Sequence, residues 1–185
     1  FPNNPVNRRW RALDLDLSTT ASVEQPPGAF ILTRRDAWEK IGGLDEGFWP
    51  IWFEDVDFCH RLLSHGFQIR YTPETRASHV GAHSIRQMPR GSREIQWYVS
   101  LLRYAGKHFS LLSHILVAFS VALSSIPRAV FGLLRFRNGE PLRICQKVLK
   151  ITVESVMKRS TANSHNSVVA APNSSEETKT HAHVP

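Results

Sequence analysis

Residues 111–126, LLSHILVAFSVALSSI, contain no Lys, Arg, Asp or Glu. Such a run must find an apolar surrounding, a protein core or lipid, and this limits what the C-terminal half can become. It falls short of the ~20 apolar residues a spanning helix needs. It also carries His114 and several serines, and Pro127 and Arg128 follow it. An interfacial or re-entrant helix therefore suits it better than a full span. Its neighbours are basic: from Arg86 to Lys150 there are eleven Lys or Arg against Glu94 and Glu140. That imbalance suits anionic partners such as phosphates or an acidic membrane face. Residues 91–109 and 143–159 read as amphipathic helices on either side of the run. From Ser160 onward the Ser, Thr, Asn, His and Pro content predicts disorder.

The first half has another character. GAFILT (28–33) is an apolar run of strand length, and Leu13 to Leu17 alternates like a short strand. Residues 34–41, RRDAWEKI, are helical in pattern and stop at Gly42-Gly43. Glu54 to His65 reads as a helix with Phe58 and Leu62 on its apolar face and Gly66 at its end. Phe67, Ile69 and Tyr71 then alternate as a half-buried strand closed by Pro73. Strand, helix, helix, strand is an α/β pattern. The expected parts are a folded region over 1–95, membrane-associated helices over 96–157 and a disordered tail over 158–185. Two cysteines, Cys59 and Cys145, make no disulfide framework or zinc pattern and weakly favour a reducing compartment. The chain opens on Phe1 without a signal peptide and is read as a piece starting inside a longer protein.

The chemistry concentrates in FWPIWFEDVDFCHRLLSHG, residues 48–66. Acids in a helix's first turn are common for dipole reasons alone, and Asp57 with Arg61 is an i,i+4 pair. Here, however, the acids follow an aromatic wall suited to stacking on a ring-shaped ligand, and the histidine-rich turn SHVGAHS lies one helix and one strand further on. In α/β folds ligands gather at such strand ends.

These residues resemble a known family. Gly28-Ala29, Arg34-Arg35, Gly42-Gly43-Leu44-Asp45-Glu46, Glu54-Asp55-Val56-Asp57, Arg61-Leu62, Gly66, Tyr71-Thr72-Pro73 and His79-Val80-Gly81-Ala82-His83-Ser84 follow the order found in the second half of family 2 glycosyltransferase catalytic domains, close to the rhamnosyltransferase-like branch. The resemblance implies a partial GT-A (nucleotide-diphospho-sugar transferase) domain of α/β class, a nucleotide-sugar donor, and inversion at the anomeric carbon. It implies Asp55 as the general base that takes the proton of the acceptor hydroxyl. Glu54 beside it would orient the acceptor or tune the base, and Asp57 would pair with Arg61. His79 would be a ligand of a divalent metal, Mn²⁺ or Mg²⁺, with the further ligands in a missing N-terminal half. His83 is the weaker rival. Gly28 and Ala29 would let backbone approach a sugar, or merely pack a strand. Trp49 and Trp52 would stack on the acceptor, or one of them belongs to the core. Arg86, Arg90 and Arg93 would sit on a basic loop able to close over a diphosphate, or form a solvated face.

The expected function is sugar transfer from the donor to a glycan or lipid-linked acceptor in cell-surface polysaccharide synthesis, at the cytoplasmic face of the cell membrane. Asp14-Leu15-Asp16 has the letters of the family's D-x-D but no βαβ unit before it, so the fragment alone is expected to be inactive. The alternative is a non-catalytic membrane- or glycan-binding module. No nucleic-acid partner is expected, because the basic residues accompany an apolar helix rather than a nucleic-acid motif.

Overall fold

The computed structural model describes residues 4–10, 12–26, 28–81 and 83–169. The chain divides into two compact units, Phe1–Tyr104 and Ala105–Pro185. The division therefore falls between Tyr104 and Ala105 rather than at the expected 95/96.

In the first unit, Pro5–Trp10 forms α1, and Arg35–Ile41 forms α2. Gly42 and Gly43 stop α2 in left-handed conformations, φ 75° and 70°. A side chain at Gly43 would also meet the Trp38 ring at 2.8 Å, so this stop needs glycine. A 3₁₀ turn, Glu46–Phe48, leads through a cis Trp49–Pro50 bond to α3, Glu54–Ser64. Phe58 and Leu62 of α3 pack on Ala37 of α2, with Ile41, Phe67 and Ile69 around them. This is the apolar face expected from the 3.6-residue spacing, and Phe67 and Ile69 alternate into it as expected of a strand.

The ladder itself is short. Arg70–Tyr71 (β2) pairs antiparallel with Ala21–Ser22 (β1), Ala21 opposite Tyr71. Two expected strands are absent among the described residues. Residues 13–17 form turns, and residues 28–33 form no ladder, leaving Phe30 and Leu32 exposed. An apolar run becomes a strand only beside a partner that takes its N–H and C=O groups, and no described segment offers one here. The described residues are thus mostly helical, with one two-stranded sheet, where the sequence predicts a fuller α/β pattern.

His83–Arg86 forms α4 and Arg90–His108 forms α5, so Arg86, Arg90 and Arg93 lie on helices, not on the expected loop. In the second unit α6 covers Leu111–Phe136 and α7 covers Glu140–Val169. Ser110 caps α6, its Oγ accepting from Ser113 N at 3.1 Å. Pro127 does not end α6, and the apolar run belongs to a helix of 26 residues, long and apolar enough to cross a membrane by length and composition. Pro127 removes one backbone donor. Nearby, Ser124 and Ser125 donate their hydroxyls back to Val121 and Ala122 carbonyls. Ala118, Val121, Ser125, Ala129 and Gly132 make the buried face of α6. At Gly132 a side chain would meet Pro141 of α7 at 2.8 Å, so small residues let the two helices close up. The helix α7 runs to Val169, past the expected start of disorder at 158. Residues 170–185 of the expected tail lie outside the described residues.

Candidate active site

Asp55 stands in the first turn of α3. Its Oδ2 accepts from Gly28 N at 3.0 Å, and its Oδ1 accepts from Val56 N at 2.8 Å. A Cβ at Gly28 would lie 3.0 Å from both Cβ and Oδ2 of Asp55. Gly28 is thus needed for a close backbone approach to the carboxylate, whereas the sequence suggested an approach to sugar. The structure joins these two residues across 27 positions. Ala29 is exposed beside them.

Glu54 Oε2 is buried without a hydrogen-bond partner. Burial raises the Glu54 pKa above the ordinary carboxylate value, and the neighbouring Asp55 charge adds to the rise. Two adjacent carboxyls thus sit in different environments, one held by backbone donors and one desolvated. Asp57 is fully buried and belongs to the scaffold, as its i,i+4 spacing implies. Its Oδ2 accepts from Arg61 Nε at 2.7 Å, and Arg61 also donates to Ile41 O at 2.6 Å and Gly43 O at 2.7 Å.

The aromatic wall bends sharply ahead of the helix. Trp52 and Phe53 both take positive φ, 72° and 68°, a conformation costly for aromatic residues and found where surroundings enforce it. The enforcing element is α5. Ser100 donates to Ile51 O at 3.1 Å, and Gln96 to Trp49 O at 3.4 Å. Phe53 packs against Trp97 and Tyr104, with ring centroids 6.1 and 5.6 Å apart. Arg103 holds the preceding turn by donating to Asp45 Oδ1 at 2.9 Å and Oδ2 at 3.1 Å, and a side chain at Gly47 would run into it. The result is a Trp49 side chain that is 81% exposed and a Trp52 that is half-buried. Of the two expected stacking residues, Trp49 is the one whose face is open.

These α5 residues were not singled out from the sequence. Their signal is weak: Gln96, Ser100 and Arg103 recur at helical spacing on one face, but what they touch lies about fifty positions away. His79 is exposed in the extended segment between β2 and α4. His83 begins α4. Among the described residues no three His, Cys, Asp or Glu side chains gather closely enough to hold a metal ion. The described residues do not by themselves make a metal site.

Residues 19–83 match a family model described as the N-terminal domain of galactosyltransferase. Rhamnosyltransferase WbbL of Escherichia coli K12 is 31% identical over 86 residues, covering 46% of this chain and 31% of that protein. The N-acetylglucosaminyl-diphospho-decaprenol L-rhamnosyltransferase of Mycobacterium tuberculosis is 29% identical over 139 residues, covering 67% of this chain and 45% of the relative. The pre-mycofactocin glycosyltransferase of the same organism is 36% identical over 85 residues, 41% of this chain and 17% of its own length. No solved structure matches. The chain spans less than half the length of each of these relatives.

These matches identify residues 19–83 as a glycosyltransferase segment, and a GT-A-like nucleotide-sugar transferase fold is what such a domain implies. Two of these relatives are named as rhamnosyltransferases, which supports the resemblance of the ordered motifs to rhamnosyltransferase-like family 2 enzymes.

Proposed function

We propose that this chain is the acceptor and base-bearing part of an inverting glycosyltransferase acting in cell-surface polysaccharide synthesis. The acceptor hydroxyl, on a glycan or a lipid-linked sugar, attacks the anomeric carbon of a nucleotide-sugar donor. The new C–O bond forms as the bond to the diphosphate breaks, the electron pair leaves with the nucleotide diphosphate, and the hydroxyl proton passes to Asp55. One displacement of this kind inverts the anomeric centre. Rhamnose is the proposed sugar, from the names of two relatives, although the matching family model is named for galactosyl transfer.

The observation that carries the reading is the setting of Asp55. Its carboxylate is fixed by Gly28 N–H at the start of α3, behind an aromatic wall that α5 holds in a strained turn. A surface acid that only capped a helix would need neither the bare approach at Gly28 nor the exposed Trp49. The unpaired apolar run at 28–33 fits a domain whose remaining sheet lies in the length of the relatives not covered here. The proposed Mn²⁺ or Mg²⁺ would take His79 as one ligand and carboxylates from that remaining part as the others, where the metal would offset charge on the leaving diphosphate.

We place the second unit at the cytoplasmic membrane surface, lying in the interface rather than spanning it. α7 packs along α6 and exposes Arg143, Lys147, Lys150, Glu154 and Lys158. A spanning hairpin would carry several of these into hydrocarbon at about 2.5–3.5 kcal/mol each. In the interface they face anionic headgroups, while the apolar face of α6 enters the acyl boundary.

The test is Asp55→Asn in the complete gene product, assayed for transfer from nucleotide-diphosphate sugars. Turnover should fall by about 10²-fold or more, with donor affinity unchanged. Turnover within a few fold of wild type would remove Asp55 as the base.

A further inference from the structure

The hairpin of α6 and α7 contains a cleft that the transfer chemistry does not use. It measures about 270 Å³ and is lined chiefly by Ala118, Phe119 and Ala122 of α6 and by Thr152, Val153 and Met157 of α7. Thr152 is the one polar side chain among its lining residues, and its hydroxyl donates to Val148 O at 2.7 Å. A polar ligand would lose its water there and find almost nothing in return. The volume is also below the ~300–1,000 Å³ of ordinary small-molecule sites. Such a space suits a length of thin apolar chain better than a sugar or a packed helix.

Charge distinguishes the two ends. Arg159 Nη1 donates to Ala105 O at 3.2 Å, and its other arm donates to Phe109 O. This tie draws the end of α5, with Lys107 and His108, to the side of the hairpin where Lys158 and Arg159 follow Met157. Past the Ala122 end of the lining, α6 continues with the exposed apolar residues Leu123 and Ile126. Positive charge in the sequence just past the Met157 end of an apolar slot is the complement of an anionic diphosphate carrying a long hydrocarbon.

A comparison points the same way. The relative whose name specifies a decaprenol-linked substrate matches two thirds of this chain, more residues than the first unit contains, so its similarity reaches into the second unit. We propose that the α6–α7 cleft seats the isoprenoid chain of the lipid-linked acceptor, with its diphosphate towards the Arg159 end. This inference rests on the reading of the chain as part of a transferase with such an acceptor.

The experiment uses the complete gene product in phosphatidylcholine vesicles with decaprenyl diphosphate bearing a photoreactive diazirine. Label should map to residues 115–122 and 152–157. Unlabelled decaprenyl diphosphate should compete it away, and excess phosphatidic acid should not. Ala122→Phe, which fills the floor, should lower the labelling about tenfold, the scale of losing one side chain's worth of apolar contact. Val153→Trp narrows the exposed rim and should do the same if Ala122→Phe fails to fold. Equal competition by phosphatidic acid would mean that the cleft holds bilayer lipid and would overturn the proposal. So would label elsewhere only, or cross-links between two copies through these residues. Sugar transfer to a short-chain diphosphate-linked acceptor is measured in parallel. Transfer without label at the cleft discards the cleft alone, whereas no transfer to any diphosphate-linked acceptor discards the proposed function and this inference with it.

Discussion

Asp57 is fully buried and Arg61 nearly so, and the Arg61 guanidinium also bonds the carbonyls at the end of α2. Asp57 and Asp55 are near neighbours on one helix turn, yet one faces inward to an arginine and the other meets backbone at Gly28. Removing one partner of a buried pair leaves the other charge uncompensated, at a cost of about 3–5 kcal/mol. Asp57→Ala should therefore lower the melting temperature clearly while leaving turnover per folded molecule within a few fold of wild type. A loss of turnover matching Asp55→Asn, with melting unchanged, would reverse the two roles. The Asp57–Arg61 pair was legible in the sequence because four residues is one helical turn. The Gly28–Asp55 contact was not, since spacing says nothing about which loop returns to a helix start. For the same reason Asp55 could be named from the ordered motifs, while its partner and the α5 clamp could not.

Among the elements, the helices α2, α3, α5, α6 and α7 were readable from apolar spacing and from the glycines that stop α2 and α3. The strands at 13–17 and 28–33 were misread because alternation or apolarity marks a strand only when a neighbouring strand exists. The length of α6 was underestimated because only the charge-free run 111–126 was counted, whereas the helix continues through Pro127 to Phe136. The packing of α6 on α7 also buries a titratable group. His114 is fully buried, with Nε2 3.0 Å from Ser155 Oγ, and its Nδ1 has no hydrogen-bond partner. Burial, and then the positive charge of Arg159, lower its pKa from 6.5. Between 6.5 and that lower value the unfolded chain binds a proton that the folded helix pair refuses. Stability is thus complete above pH 6.5 and is lost as pH falls through this window. The melting temperature should drop between pH 7.5 and 5.5 in the wild type and drop less in His114→Gln. Parallel pH profiles would show that His114 takes up its proton equally in the folded and unfolded states.

At the scale of the whole molecule, each unit leaves something to be supplied. The first presents His79 without companion ligands among the described residues. In the complete gene product, His79→Ala should raise the Mn²⁺ concentration needed for activity, with His83→Ala as the control; unchanged titration curves would leave His79 as a plain surface histidine. The second unit presents apolar surface that water does not favour. Leu116, Phe119, Leu123, Val130, Phe131 and Leu134 are all exposed on α6, and exposed apolar patches mark partner or membrane contacts. The serines of that helix do not offset this, since Ser120, Ser124 and Ser125 donate to carbonyls of their own helix. The basic residues of α7 add attraction to anionic lipid, but that part weakens as salt screens it. The apolar part does not weaken with salt. The two contributions can therefore be separated by flotation with vesicles containing anionic lipid. The intact protein should float at low salt and remain largely bound at 1 M NaCl, and truncation after Ser110 should leave it in the soluble fraction. Complete release by salt would assign attachment to the lysines and arginines alone, and flotation of the truncated protein would move the anchor out of the second unit.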